Sequence, residues 1–515
     1  MSVLEKEANL SIMQDIVEKI NVDSAGRIEG IVTRREIFYK AKTVVITAGT
    51  FMRGLIHVGS VHYSAGRADE FSSEGLPLSL VQNGLVLKRL KTGTPARINR
   101  NSVDFSKLEP QNGDPVPWFF SYRTSQSPRK QIPCWLTHTN EKTHKIICDN
   151  LDRSPLYGIN KVIEGVGARY CPSLEDKIVR FPGKTGHHVF LEPEGFDTDE
   201  MYVNGTSNSL PEDVQTEFLR SIPGLENVKI MRMAYAIEYD YIDPSQMDYN
   251  FECRKIQGLF FGGQINGTSG YEEAAAQGFM AGVNAALRVK GRESFVLKRS
   301  EAYIGVMCDD LVSKGIDEPY RMFTSRAEHR MLLRYDNADK RLMHYGKALG
   351  LIDDGTWENM KRKYDLVDKL MVSLGKKRAS AETLSRLKTE GKISSEKNYT
   401  LMHLVTMPGI GFDDVRADMD ELENPDRDTS LSIEVEVKYE GYIRRHLEEL
   451  ERLKKVDETL IPEDLDIDSI PHLPGEVREK LKKIRPRTLG QARSLSAVTD
   501  SELTILYVAI TKPAR

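Results

Sequence analysis

What this sequence lacks narrows its class before anything in it is interpreted. Cysteine is scarce, with five in 515 residues. Cys134, Cys148, Cys171, Cys253 and Cys308 are odd in number and show no CxxC spacing, which argues against a disulfide framework or a zinc knuckle. No run approaches the ~20 apolar residues of a membrane-spanning helix. The opening MSVLEKEANL mixes charges and has no apolar core, so a reduced, cytoplasmic setting is expected rather than secretion. Neither sign of charge is in surplus: 72 Lys and Arg against 76 Asp and Glu leave a net charge of −4. Any nucleic-acid surface must therefore be a local patch. There is no GxGxxG either. The nearest string, Gly165-Val-Gly-Ala-Arg-Tyr170, lacks the third glycine and does not follow an evident strand.

What is present is an ordinary soluble composition, 40% hydrophobic and 29% charged, long enough for about three domains. Ser11–Val17 reads as a short strand, and Ile28–Thr33 with Glu36–Tyr39 as a hairpin around Arg34 and Arg35. The β-branched run in Lys42–Thr50 reads as a buried parallel strand feeding a tight loop. From about Asn99 the sequence turns irregular and β-rich, as at Gly186–Phe190. A buried-strand pattern returns at Ile256–Phe261, followed by a glycine-rich loop, Gly262–Gly270, and a helix of small residues, Tyr271–Leu287. Beyond about residue 300 the periodicity is helical, with Lys376–Asn398 as a loose connection. Two sheet strands that end in glycine-rich loops, with a long insertion between them, predict an α/β fold. The expected type is a two-dinucleotide-binding-domain flavoprotein with an inserted β-rich domain and a C-terminal α-helical domain. The expected divisions are residues 1–98 (part of a nucleotide-binding domain), 99–255 (the inserted domain), 256–300 (the return of the nucleotide-binding domain) and 301–515 (a helical domain).

Long motifs run through the chain: VITAGTFMRGLIHVG (45–59), RLKTGTPARI (89–98), THTNEKTH (137–144), NLDRSPLY (150–157), GARYCPSLEDKIVRF (167–181), FLEPEG (190–195), GLFFGGQINGTSGYEEAAAQG (258–278), EPYRMFTSRAEHR (318–330) and EVEVKYEGYI (434–443). With these the sequence resembles the GidA, or MnmG, family. The resemblance implies FAD and NADH as cofactors and a folate-binding partner GTPase of the MnmE type. It also implies addition of an aminomethyl or carboxymethylaminomethyl group at C5 of the tRNA wobble uridine, by a homodimer that joins the GTPase in a heterotetramer. Family members begin with a strand, a GxGxxG loop and a helix. The chain is accordingly expected to lack that N-terminal segment. The alternative function is a catalytically inactive remnant that binds tRNA or the partner; a generic small-metabolite flavoprotein is the third.

The chemistry points to Cys171. Uracil C5 is a poor nucleophile until a thiolate adds at C6 and makes C5 enolate-like, and cysteine suits that task. Cys171 lies between Arg169 and Lys177/Arg180, whose positive charge would lower a thiol pKa. The resemblance places it in catalysis, as nucleophile or as acid/base group; the other four cysteines are read as structural. Gly167, Arg169 and Arg180 fall in the stretch the resemblance assigns to NADH, and the two arginines suit a phosphate of either cofactor or RNA. Glu175 and Asp176 would shape this loop or pair with those bases. For FAD the resemblance indicates Val17, Ser73 and Gln264, with Gly263 allowing close backbone approach and the next helix offering its N-terminus. Arg326, Arg330 and Arg334 recur every four residues. If helical, they form one face for RNA phosphates or a solvated, salt-bridged face; Lys177 is a further RNA candidate. Arg478, Lys480, Lys482, Lys483, Arg485, Arg487 and Arg493 form a second basic cluster, for tRNA and GTPase or simply a charged surface. His57, His138, His144, His187 and His188 fit no metal-ligand spacing. Loop hydrogen-bonding roles are expected for most of them, and no metal.

Overall fold

A computed structural model describes residues 2–115, 119–124, 130–158, 162–167, 172–419, 425–493, 495 and 498–511, with backbone alone at 449–450, 452–457 and 500. The chain forms two compact units. The first comprises residues 1–118, 126–296 and 307–322; the second comprises 119–125, 297–306 and 323–515.

The first unit opens with an antiparallel sheet of β1 (Val17–Val22), β2 (Ile28–Thr33) and β3 (Phe38–Lys40). The hairpin lies where the sequence places it, but the preceding strand does not. A strand needs a neighbour, and the β1 register ends at Val17 opposite Thr33. At Thr33 the partner turns away, through a Glu36 amide bond to its carbonyl and a Glu36 φ of 61°. Residues 11–16 form no strand: the Ile16 carbonyl accepts the Arg34 amide at 2.8 Å, and the ladder goes no further. β4 (Val44–Ile46) pairs in parallel with β16 (Leu259–Phe261), Val44 opposite Leu259 and Ile46 opposite Phe261. The β16 residues are fully buried, whereas Val45 of β4 is 37% exposed, so the strand expected to be buried is covered on one side only.

Between those strands lie two larger sheets. One holds β5 (Leu55–Val58), β6 (Val61–Ser64), β7 (Leu87–Thr94), β11 (Val166–Gly167) and β15 (Tyr235–Ile242), in the order β11-β7-β15-β5-β6. The other is six-stranded and antiparallel, in the order β14-β8-β13-β12-β10-β9. Its strands are β8 (Arg97–Asn99), β9 (Glu109–Gln111), β10 (Cys134–His138), β12 (His188–Pro193), β13 (Glu200–Asn204) and β14 (Ile230–Arg232). The inward residues of this sheet, among them Ile98, Val189, Leu191, Met201 and Val203, pack against α2 (Glu141–Cys148), α3 (Leu174–Arg180) and α4 (Glu212–Arg220). Alternation along each strand puts every second side chain into that core. Two further helices, α1 (Gly75–Gln82) and α5 (Tyr271–Val289), complete the unit.

The second unit is helical. Its longest helices span Asp354–Lys376 and Arg427–Asp457. The stretch read as a loose connection instead contains a helix, Ala381–Thr389. Its N-terminal amide at Thr383 is capped by the Ser380 hydroxyl, and Leu384, Leu387 and Ile393 enter the core beside Leu370 and Leu374. Two leucines at helical spacing, with Ile393 just beyond the helix, suffice once a cap starts the turn; low average hydrophobicity hides them. Among the described residues no helix is long and apolar enough to cross a membrane.

Candidate functional site

Directly paired strand residues share a sheet face, and on β7 and β15 the two faces differ sharply. Thr94 pairs with Tyr235 and Thr92 with Ile237. With Gln264, Tyr271 and Arg232 these residues line a cavity of about 490 Å³. Gln264 comes from the loop after β16, and behind it Tyr239 is fully buried. Burial pushes the Tyr239 hydroxyl pKa up, and the Gln264 side chain beside it acts in the opposite direction.

The loop that presents Gln264 is held by a side chain the sequence reading missed. Gln277 of α5 is fully buried. Its carbonyl accepts from the Gly263 amide at 3.2 Å and from Asn266 Nδ2 at 2.9 Å, and its amide donates to Thr268 Oγ1 at 2.9 Å. Asn266 also donates to the Phe261 carbonyl. Gly263 and Gly267 take left-handed φ values of 86° and 76°, and a Cβ on Gly267 would strike Ile316. The available signal was an amide side chain directly after three alanines, Ala274–Ala276, in the part of α5 next to the loop. Glu273, in the first turn of α5, is also buried. It accepts from the Met322 amide at 2.8 Å and faces Arg321 at 3.4 Å, so this helix N-terminus already carries a carboxylate of its own.

The opposite face of the same sheet is charged. Glu238 Oε2 meets His57 Nε2 at 2.9 Å, and Oε1 accepts the amides of Glu164 and Gly165 at 2.9 and 2.6 Å. Glu238 thus anchors the segment that becomes β11 and carries Gly167. Burial pushes its carboxyl up, but the His57 ring, the Gly165 amide and the Arg89 charge outweigh that and leave it below the usual range. Asp240, fully buried, takes Arg53 at 2.5 Å and Arg89 at 3.0 Å. Lys91, only 7% exposed, pairs with Gly167 and runs past it; a Cβ on that glycine would lie 3.3 Å from Lys91 Cδ.

Cys171 and Arg169 lie outside the described residues. On α3, Glu175 is fully buried and accepts the amide and hydroxyl of Ser209 at 2.9 and 3.2 Å, its pKa raised by burial. Asp176 forms a capping box with Ser173 and takes the Tyr157 hydroxyl at 2.5 Å. Arg180 is exposed and 4.0 Å from Asp176, and Lys177 donates to the Gly205 carbonyl at 3.0 Å. One acid therefore builds the core and the other starts the helix, with only a loose pairing to Arg180. Ser73 and Gln264 come to the same loop: the Ser73 amide donates to the Phe51 carbonyl, and Gln264 lines the cavity with Thr50. Val17 begins β1 next to Glu18, whose carboxylate packs on Gly75.

Arg326, Arg330 and Arg334 do not form a helical face. The segment holds a single 3-10 turn at Thr324–Arg326 followed by further turns. The Leu333 amide reaches the His329 carbonyl four residues back, but two other carbonyls of the segment are taken by arginines. Arg299 donates to the Arg326 carbonyl at 3.1 Å and Arg341 to the Arg334 carbonyl at 3.0 Å. Arg334 is largely buried, bound to Asp336 at 3.0 Å and to the Met331 carbonyl at 2.8 Å; Arg330 is exposed. In the C-terminal cluster, Arg478 donates to the carbonyls of Leu473 and Ile470, and Lys482 pairs with Asp468. The histidines are mostly not loop residues either. His57, which is buried, and the exposed His138 and His188 sit on strands, and the half-buried His144 sits on α2. His138 and His188 are cross-strand partners with ring centroids 4.8 Å apart.

A parallel strand pair ending in glycine-rich loops, a long β-rich insertion and a helical C-terminal region define the class, a two-dinucleotide-binding-domain flavoprotein fold. The family description "Glucose inhibited division protein A" matches residues 1–293. Descriptions of the MnmG/GidA C-terminal helical domain and helical bundle match 354–447 and 449–515. The chain belongs to the MnmG/GidA family. It is 48% identical over 512 residues to the tRNA uridine 5-carboxymethylaminomethyl modification enzyme MnmG of Thermodesulfovibrio yellowstonii. It is 50% identical over 510 residues to the enzyme of the same name from Geobacter sulfurreducens. Each alignment covers 99% of this chain and 81% of the relative. The crystal structure of Aquifex aeolicus GidA, form II, superposes with a TM-score of 0.89 at 43% identity, covering 99% of this chain and 82% of that one.

Proposed function

We propose that the chain is a tRNA uridine modification enzyme that adds a carboxymethylaminomethyl or aminomethyl group at C5 of the wobble uridine, with FAD, NADH and a folate-binding GTPase partner. The observation that carries this is the near-complete match, at 48–50% identity, to enzymes of that name. The cavity bounded by Gln264 and Thr92 fits the polar end of a flavin. It has a suitable size for a small-molecule site, and Gly263 and Gly267 bring backbone to its wall without side chains. Val17, Ser73, Gln264 and Gly263 would hold FAD, and Gly167, Arg169 and Arg180 the phosphates of NADH. When bound, the flavin supplies the electron transfer the one-carbon chemistry requires. Cys171 acts on the base, its thiolate adding at C6 to make C5 nucleophilic or its thiol moving the proton at C5. Glu238 serves that cysteine at one remove, by fixing the segment that leads to it. Arg330, with Lys177 and Arg326, meets RNA phosphates, while Arg334 is committed to its own fold. The expected setting is a cytoplasmic homodimer joined to the GTPase as a heterotetramer.

The test is to purify the chain, record its flavin spectrum, and assay unmodified tRNA with the GTPase, folate and NADH, comparing Cys171→Ser. A yellow protein that modifies tRNA, and a serine variant that binds tRNA but does not, are expected. A colourless chain that still retards tRNA would replace the catalytic reading with a binding role.

A further inference from the structure

Tyr271 is the first residue of α5, and its side chain is 92% exposed at the cavity. Aromatic rings are normally among the largest contributors of buried area, so a ring left in water adds nothing to this fold that a serine would not. It is nevertheless displayed from a fixed backbone. The space beside Gly270 is filled by the Glu273 carboxylate, which the Met322 amide holds at 2.8 Å. The same cavity presents two arginines in different states. Arg97 is held in place, bound to Glu194 at 2.6 Å, Thr94 at 2.9 Å and the Pro95 carbonyl at 2.8 Å, and stacked on Tyr202. Arg232 is half exposed and, among the described residues, pairs only with Glu200 at 3.4 Å, whose same oxygen lies 3.8 Å from Arg97, so guanidinium donors and the second carboxylate oxygen stand together in the cavity.

We propose that Tyr271 is the stacking platform for the target uracil, and that Arg232 and Glu200 read its edge. The edge of uracil alternates carbonyl, N–H and carbonyl; guanidinium donors suit the carbonyls and a carboxylate suits the N3–H. A base taken out of its stack is held by aromatic stacking and by hydrogen bonds to this edge. The assignment rests on the tRNA-uridine reading above. A flavin carries the same pyrimidinedione edge, so the experiment separates the two sources.

Anticodon stem-loops with uridine or an abasic site at the wobble position are titrated against the full chain by fluorescence anisotropy, and FAD is titrated separately. The wild type is expected to prefer uridine by about tenfold, the usual worth of one stacked base. Tyr271→Ser should abolish that preference with abasic binding and FAD affinity unchanged, and Tyr271→Phe should keep it. Arg232→Gln should reduce it while leaving abasic binding intact. A serine variant that keeps the preference, or one that loses FAD affinity, overturns the assignment; the second result gives the ring to the flavin. A wild-type chain with equal affinity for both stem-loops overturns this proposal alone. One that binds neither stem-loop overturns the functional reading with it.

Discussion

Replacing Gln277 by leucine keeps the volume near that of the native side chain and removes three hydrogen bonds at once. The Gly263 amide loses the acceptor it has at 3.2 Å, Asn266 Nδ2 keeps only the Phe261 carbonyl, and Thr268 Oγ1 keeps only its donation to the Gly263 carbonyl. A buried donor left without a partner costs ~1–3 kcal/mol, and each bond lost from a group that keeps another costs ~0.5–1.5 kcal/mol. The sum is ~3 kcal/mol, concentrated in the loop between β16 and α5. Since 1.4 kcal/mol is a factor of ten, amide hydrogen exchange at Gly263 and Gly267 should speed up by about a hundredfold. Amides of β12 and β13, in the separate six-stranded sheet, should be unaffected. Exchange resolved by residue is the right assay, because a chain of two units does not unfold in one step. If Gln277→Leu leaves loop protection at the wild-type level, the network does not hold the loop. Gln277→Glu keeps the acceptor and should lie between the two.

Three further outcomes follow from the geometry. Because the Glu238 pKa is depressed in the folded state, its stabilisation is present above the unfolded value of about 4.3 and is lost as pH falls through the folded one. Thermal melts of Glu238→Gln should lie below wild type near neutrality and converge with it below about pH 4; parallel curves throughout would refute the linkage. Leu387, fully buried in the helical unit, should cost ~2–5 kcal/mol when cut to alanine, read as a lower denaturant midpoint for that unit, and an unchanged midpoint would restore the loose connection. Burial pushes the thiols of Cys253 and Cys308 up, whereas Cys148 is exposed. Residue-mapped alkylation of the native protein should therefore find Cys148 and spare the other two until denaturant is added, and early labelling of Cys308 would contradict its burial.

The family is legible in the motifs alone, since they are long, and with the family comes the class of fold. The sequence also located the elements whose pattern is local: the β2 strand, the parallel strands β4 and β16, and the α5 helix that follows the glycine-rich loop. Whatever depends on a distant partner emerged only in the folded chain. The buried contact of His57 with Glu238 spans 181 residues, and no spacing rule reaches that far. The four-residue repeat of Arg326, Arg330 and Arg334 promised a helix, but Arg299 and Arg341 satisfy carbonyls of that segment, so helical hydrogen bonds were not its only way to be saturated. Gln277 looked like one polar residue among alanines until the fold closed the Gly262–Gly270 loop around it. Periodicity reports which side of an element faces inward; which polar group waits there is settled only when the chain has brought its partner back.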